Sequence, residues 1–152
     1  MSAARLAQAA DAEVVARLMS EFRNWVGNDA PDDRSFRASA ERLLQDEDTE
    51  FLLCGEPPDG VCQVRYRHSI WTATDDCCLE DLFVRDRSRG QGLGRALLAA
   101  VLERARARGC ARVELDTNER NAPALALYES FGFSASSTRP GEGRNLLLSL
   151  RL

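Results

Sequence analysis

The sequence has few residues of the kind that hold metal ions. It contains a single histidine, and its five cysteines form no C-x-x-C pair, whereas structural zinc sites are built from such pairs and from clustered histidines. The cysteines are odd in number and lack the spacing of a disulfide framework, which favours reduced, mostly buried thiols. We therefore predict no metal site and a cytoplasmic location.

Long apolar runs are missing as well. No stretch approaches the ~20 apolar residues that a membrane-spanning helix needs, and the first residues lack the apolar segment of a signal peptide. The net charge of −4 has the wrong sign for a protein that neutralises nucleic-acid phosphates. These absences predict a soluble protein that binds neither membrane nor nucleic acid.

Internal repeats, low-complexity segments and linkers are also absent from the sequence. Its 152 residues, 44% hydrophobic and 29% charged, are enough for one domain with a sizeable core. We therefore predict a single domain over residues 1–152.

The most informative stretch covers residues 80–98. An apolar segment ends at Val84, a basic turn follows, and alternating glycines (Gly90, Gly92, Gly94) open a segment with helical periodicity. A helix that begins near Gly92 directs free N–H groups and the positive end of its dipole at that turn. The stretch therefore predicts a site for a phosphate or pyrophosphate.

Two common nucleotide motifs do not fit this stretch. Arg95 stands where the dinucleotide fingerprint G-x-G-x-x-G requires its third glycine. The P-loop is excluded because no Gly-Lys-Ser/Thr sequence occurs. The expected anion is therefore carried by another kind of ligand.

Hydrophobic periodicity and turn residues predict the remaining elements. The predicted strands lie near residue 6 and over residues 49–54, 61–67, 77–84, 111–117, 133–138 and 145–152, with helices capped near Asp11, Asp32–Ser35, Gly92 and Asn121. The order β-α-α-β-β-β-α-β-α-β-β is that of an α+β fold, and the strands on either side of the third helix should be parallel. Residues 68–76 are expected to form a loop or a strand extension.

Two motifs resemble one known family. Arg89-x-x-Gly92-x-Gly94, after a strand that ends in Phe-Val, is similar to the acyl-CoA signature of the GCN5-related N-acetyltransferases (GNAT). The segment from Asn118 to Phe133 matches the family's second motif, roughly N-x-x-N-x-x-A-x-x-L-Y-x-x-x-G-F. The resemblance implies a GNAT fold, an α/β sandwich with a mixed, mostly antiparallel seven-stranded sheet and four helices.

The resemblance implies acetyl-CoA as the acetyl donor. The glycine turn would hold its pyrophosphate through backbone N–H groups, and the fourth strand, splayed from the fifth, would pair with the pantetheine arm. The cofactor contacts implied are Leu82, Phe83, Val84, Arg89, Gly90, Gln91, Gly92, Leu93, Gly94, Arg95 and Asn121. Asn121 would also serve as a helix N-cap, and Arg85 and Arg87 are either phosphate contacts or solvated charges.

Tyr128 matches the family's general acid. A phenol, with an ordinary pKa of about 10, can give a proton to a departing thiolate. The alternative is a core tyrosine, because Tyr128 shares a helix face with Leu127 and Phe131.

Glu80 is the predicted catalytic base. It is a carboxylate in an apolar strand, where strict alternation places it on the face of Leu82 and Val84, and partial burial would make it a better proton acceptor. The alternative is an exposed strand residue or an ion pair. Asp81 falls on the other face, as a structural residue or a charge at the rim of the substrate site.

The acceptor is less well specified. Residues 79–84 are similar to the diamine acetyltransferases, in which the acidic pair faces a cationic amine, so Glu80 and Asp81 are the predicted substrate contacts. The alternatives are a protein or peptide N-acetyltransferase and an acyl-CoA sensor without turnover. Trp25 and Trp71 would line an acceptor pocket or belong to the core, and the resemblance allows a homodimer formed through the C-terminal strand.

Overall fold

The computed structural model describes residues 3–135 and 148–152, in two compact units, Met1–Asp116 and Thr117–Leu152. The first unit contains, in order, β1 (Arg5–Leu6), α1 (Ala12–Val26), α2 (Asp33–Leu43), β2 (Thr49–Cys54), β3 (Gly60–Ser69), β4 (Thr74–Val84), α3 (Leu93–Ala107) and β5 (Val113–Leu115). In the second unit, α4 covers Ala122–Ser130.

The five strands of the first unit form one sheet in the order β1-β2-β3-β4-β5. Neighbours from β1 to β4 are antiparallel. Short turns join β2 to β3 and β3 to β4, as antiparallel neighbours allow. β5 is parallel to β4, and α3 provides the crossover connection. The parallel pair that the sequence predicts is confirmed.

Helices α1 and α2 cover one face of this sheet. Val15 and Leu18 of α1 are completely buried and belong to one apolar cluster with Phe51, Val61 and Phe83 of the strands. Burying a side chain of this size contributes roughly 1.5–3 kcal/mol. Because Phe83 lies near the end of β4, this cluster fixes that end of the strand against α1.

Helix α3 covers the opposite face. Leu97, Leu98 and Val101 are completely buried. The contact is close at Gly60, where a Cβ atom would lie 3.1 Å from Cδ1 of Leu97 and 3.5 Å from Cγ2 of Val84. Glycine therefore lets the first residue of β3 fit under α3.

Arg104 attaches the last turns of α3 to the sheet. Its Nε and Nη2 donate to the two carboxylate oxygens of Glu50 at 2.6 and 2.7 Å. The hydroxyl of Tyr66 donates to the same carboxylate at 3.0 Å. This ion pair joins the C-terminal part of α3, and not its start at the glycine turn, to the sheet.

The predicted number of strands, seven, is corrected. The described residues hold five, and residues 133–135 and 148–152, at the ends of the expected last pair, are not strand. Residues 136–147, on which most of that pair falls, lie outside the described part of the chain, so the proposed C-terminal dimer strand stays a prediction. The single-domain organisation also stays a prediction.

β3 and β4 both extend into residues 68–76, which is one of the two predicted alternatives, and leave only a turn at residues 70–73. Of the predicted caps of α1 and α2, the first is corrected and the second is confirmed. Asp11 is the N-cap of α1, but its side chain accepts no hydrogen bond from the first turn of that helix, because its carboxylate accepts from Arg5 and from the N–H of Gln8 instead. Asp32 caps α2 by accepting from the N–H of Ser35 at 2.8 Å. Over the described residues, none of the helices has the length and apolar character to cross a membrane.

Candidate active site

A glycine turn joins β4 to α3. Gly90 and Gly92 adopt left-handed conformations, with φ of 74° and 84°, which favour glycine over residues with a side chain. Gly92 is the N-cap of α3 and supplies no side-chain cap to the first turn. The start of α3 therefore meets the requirements of a backbone anion site, as the sequence predicts.

Two of the arginines before this turn are held by carboxylates. Arg85 donates to both oxygens of Glu21 on α1, at 2.6 and 2.7 Å, and to Asp59 at 2.8 Å. Arg87 donates to Asp59 at 2.6 Å. Neither side chain is simply solvated, and both help to fix the course of the chain into the turn.

Arg89, the first residue of the signature, is held on three sides. Its Nε donates to the carbonyl of Val84 at 3.0 Å, its Nη1 lies 2.8 Å from Asp86, and its guanidinium carbon lies 4.7 Å from the ring centroid of Trp25. The Arg89 side chain therefore links the glycine turn to the end of β4 and to α1.

The end of β4 presents an unpaired backbone edge. β5 pairs with β4 only from Cys77 to Leu79, while β4 continues to Val84. No strand within the described residues pairs with residues 80–84 on the β5 side. The pairing thus ends where the family resemblance implies a splay, and Leu82, Phe83 and Val84 lie on the free stretch.

A β-bulge in β4 changes which acidic side chain is shielded. Gln63 of β3 pairs with Asp81, and the next residue, Val64, pairs with Leu79, so Glu80 is an extra residue without a cross-strand partner. Glu80 is exposed and Asp81 is half-buried. The expected partial burial of Glu80 was wrong, because strict alternation takes no account of the extra residue.

Asp81 is on the α1 side of the sheet, since its partner Gln63 and Val61 share one face. Burial raises the pKa of the Asp81 carboxyl, and the nearby charges of Glu80 and Asp116 raise it further. No hydrogen bond or ion pair to Asp81 is found among the described residues. A carboxylate in this state is suited to accept a proton.

An open cavity of about 650 Å³ lies between α1 and the end of β4. Its lining residues are Arg17, Glu21, Trp25, Phe83, Arg85, Asp86 and Arg87. Trp25 is 46% exposed and forms one wall, so the pocket interpretation suits this residue. Trp71 is 91% exposed in the turn between β3 and β4, which excludes it from the core and from this cavity.

Asn121 and Tyr128 belong to α4 in the second unit, described by itself. Asn121 accepts from the N–H of Ala124 at 3.3 Å, which confirms its N-cap role. Tyr128 is 8% exposed, and its ring meets that of Phe133 edge to face with centroids 6.0 Å apart. The tyrosine is therefore packed as a core residue would be, and its acid role stays a prediction.

Sequence reasoning missed Asp59 and Glu21 as partners of the basic turn. Asp59 lies in the turn between β2 and β3. Its contact with Arg85 follows from the register of the strands: once Gly60 pairs with Val84, the residue before Gly60 and the residue after Val84, Asp59 and Arg85, must meet. Predicting that register would have brought the carboxylate to the turn.

The chain matches a family model described as "Acetyltransferase (GNAT) family" over residues 13–133. It is 30% identical to an aminoglycoside N(6')-acetyltransferase type 1 of Stenotrophomonas maltophilia over 137 residues, 87% of each chain. It is 34% identical to a thialysine N-epsilon-acetyltransferase of Sus scrofa over 88 residues, 55% of this chain and 51% of that protein. The chain thus spans about half the length of that relative.

Solved structures show the same fold. The structure of an Arthrobacter sp. FB24 protein, assigned as an acetyltransferase, superposes with a TM-score of 0.90 at 32% identity over 100% of this chain and 97% of that one. An aminoglycoside N-acetyltransferase in complex with CoA superposes at 0.77 and 20% identity, over 99% and 94%. The α+β architecture that the sequence predicts is confirmed at this level.

Proposed function

The chain belongs to the acetyltransferase (GNAT) family, and we propose that it is an acetyltransferase that moves an acetyl group from acetyl-CoA to a primary amine on a small cationic molecule. The observation that carries this proposal is the continuity of two features of the first unit. The unpaired edge of β4 leads within a few residues into the uncapped start of α3. A ligand with an amide-bearing arm and a pyrophosphate would use both.

The cofactor residues proposed are those implied by the resemblance. Backbone N–H groups from Gln91 to Arg95 bind the pyrophosphate, and the edge from Leu82 to Val84 hydrogen-bonds the pantetheine arm. Asn121 hydrogen-bonds the same arm. The structure of a related enzyme in complex with CoA supports this choice of ligand. Bound acetyl-CoA supplies a thioester carbonyl and a thiolate leaving group.

The chain's own residues would handle two protons. Asp81 accepts the proton that the acceptor ammonium must lose before its nitrogen can attack, a role that its raised pKa supports. Tyr128 gives its proton to the leaving sulfur as the C–S bond breaks and the C–N bond forms. Glu80, which the sequence favours as the base, is proposed instead as a charge that attracts the cationic acceptor, because it is exposed.

The proposed acceptor class rests on charge. Three carboxylates, those of Glu80, Asp81 and Asp116, are near enough to affect one titration, and a cationic amine is the ligand that such a group attracts. The names of two relatives, a thialysine and an aminoglycoside acetyltransferase, point to amines on small molecules.

A thiol-release assay tests the proposal. Purified protein is mixed with acetyl-CoA and, separately, a diamine, a lysine analogue, an aminoglycoside and a peptide with a free N-terminus. We expect CoA release with a small amine, together with a product heavier by one acetyl group. CoA release with the peptide alone would show that the acceptor is a peptide or protein and not a small cationic amine. CoA binding without release on any acceptor would overturn the transfer and leave a sensor.

A further inference from the structure

The turn between β2 and β3 places one carboxylate against the segment that leads into the glycine turn. Asp59 accepts from Nη2 and Nε of Arg87 at 2.6 and 3.2 Å, from Nη1 of Arg85 at 2.8 Å and from the hydroxyl of Ser88 at 2.6 Å. Its backbone carbonyl also accepts from the N–H of Arg85 at 2.9 Å. One residue thus contacts three of the four residues at 85–88.

The Asp59 carboxylate is poorly exposed, at 15% of its side chain. Hydrogen bonds from Arg87, Ser88 and Arg85 hold its pKa well below the usual range, against the opposing effect of burial. It therefore stays charged throughout the neutral range and keeps all of these contacts.

The residues that Asp59 holds lie directly before Arg89, where the proposed phosphate-binding turn begins. Glu21 of α1 also holds this segment, through Arg85. From the glycine turn itself, Arg89 pairs with Asp86 at 2.8 Å and the side chain of Gln91 donates to the carbonyl of Arg87 at 3.4 Å. Without Asp59, the 85–88 segment would lose its anchor to β2 and β3. This segment leads through Arg89 and Gly90 directly to the N–H groups of residues 91–95.

We propose that Asp59 is a positioning residue for the glycine turn, fixing Arg85, Arg87 and Ser88 so that the turn is already shaped to receive the phosphates of CoA. The inference rests on the proposed function, since it assumes that this turn binds CoA. Asp59 touches neither substrate nor reacting atoms in this role.

Two possible roles of Asp59 predict opposite changes in the affinity for CoA when its carboxylate is removed. If the carboxylate acted only through its charge, its removal would leave Arg85 and Arg87 less neutralised and would tighten the binding of a polyanion. If it positions the turn, its removal weakens binding although the site becomes more positive. The direction of the change therefore separates the two roles.

The experiment measures CoA binding by calorimetry to the wild type, Asp59→Asn and Glu50→Gln. Glu50 is a matched control, because its side chain is 16% exposed and it also holds an arginine. We expect Asp59→Asn to raise the Kd of CoA about tenfold or more, and the KM of acetyl-CoA more than it changes kcat. Glu50→Gln should lower Tm and leave the Kd within about twofold of the wild type.

An unchanged or lower Kd in folded Asp59→Asn overturns the inference. If that variant does not fold, Ser88→Ala decides, because it removes one contact to Asp59 without changing any charge. A Kd raised about threefold, the equivalent of one ordinary hydrogen bond, supports positioning, and an unchanged Kd overturns it. A wild type that does not bind CoA overturns the proposed function itself, and this inference with it.

Discussion

The guanidinium carbon of Arg89 lies 4.7 Å from the ring centroid of Trp25, so the glycine turn is joined to the last turn of α1 by a cation–π contact. The same arginine donates to the carbonyl of Val84. The first residue of the cofactor signature thus holds strand, turn and helix together, in addition to any charge it offers to a phosphate.

Replacing Trp25 by alanine should weaken cofactor binding. The loss of the ring frees Arg89 from α1, and a contact of about 0.5–1 kcal/mol at an exposed site corresponds to a rise of roughly two- to fivefold in the KM of acetyl-CoA. Steady-state thiol release measures it. Trp25→Phe, which keeps an aromatic face, is the control and should stay closer to the wild type. Equal KM values for all three proteins would remove the proposed coupling.

Tyr128→Phe tests the general acid. Because the substitution removes only the hydroxyl and keeps the ring against Phe133, we expect an unchanged fold and a kcat lower by about 10²-fold or more. Stopped assays at saturating acetyl-CoA measure kcat, and thermal unfolding checks the fold. An unchanged kcat would identify Tyr128 as a core residue without an acid role.

Asp81→Asn should stabilise the protein at pH 7. The native pKa of Asp81 is raised by burial and by Glu80 and Asp116, so the native state binds more protons than the unfolded state as the carboxyl titrates. The stability of the protein then falls as pH rises and the Asp81 carboxyl ionises. The neutral amide of asparagine does not ionise and avoids this loss of stability. We expect a higher Tm, by about 2–4 °C for each kcal/mol relieved. A lower Tm at pH 7 would contradict the account of an unpartnered carboxylate.

Asp11 changes the stability of the protein with pH in the opposite direction. Hydrogen bonds from Arg5 lower its pKa to about 2, so its contribution to stability is complete above its ordinary pKa and is lost as pH falls towards 2. Since the Arg5 side chain is 49% exposed, we expect Asp11→Asn to cost only about 1 kcal/mol at pH 7. Urea unfolding at pH 7 and pH 3 should show a smaller difference at pH 3. A difference that grows towards pH 3 would contradict the linkage.

The sequence predicts the helices and the antiparallel strands well because periodicity and turn residues act locally. The parallel crossover around α3 and the N-caps Asp32 and Asn121 are confirmed. The glycine turn is also predicted correctly, because a left-handed backbone at Gly90 and Gly92 directly requires glycine.

The features that could not be predicted from the sequence depend on the register between strands. The bulge at Glu80 leaves no mark in an otherwise apolar strand, and one extra residue is enough to exchange the exposure of Glu80 and Asp81. The partners of Asp59 are 26 to 29 residues away along the chain and meet only through β3 and β4. Long-range pairing of this kind has no local sequence signal.

A comparison of Glu80→Gln with Asp81→Asn tests whether Asp81, rather than Glu80, is the catalytic base. Each variant removes one negative charge at one of two adjacent positions, so each serves as the control for the other. With acetyl-CoA and the best acceptor from the thiol-release assay, the pH–kcat profile is measured for each. We expect Asp81→Asn to abolish the rise of kcat with pH and to lower kcat by about 10²-fold, while Glu80→Gln keeps the pH profile and mainly raises the KM of the amine. Loss of the pH dependence in Glu80→Gln, with Asp81→Asn unaffected, would contradict the assignment of Asp81 as the base.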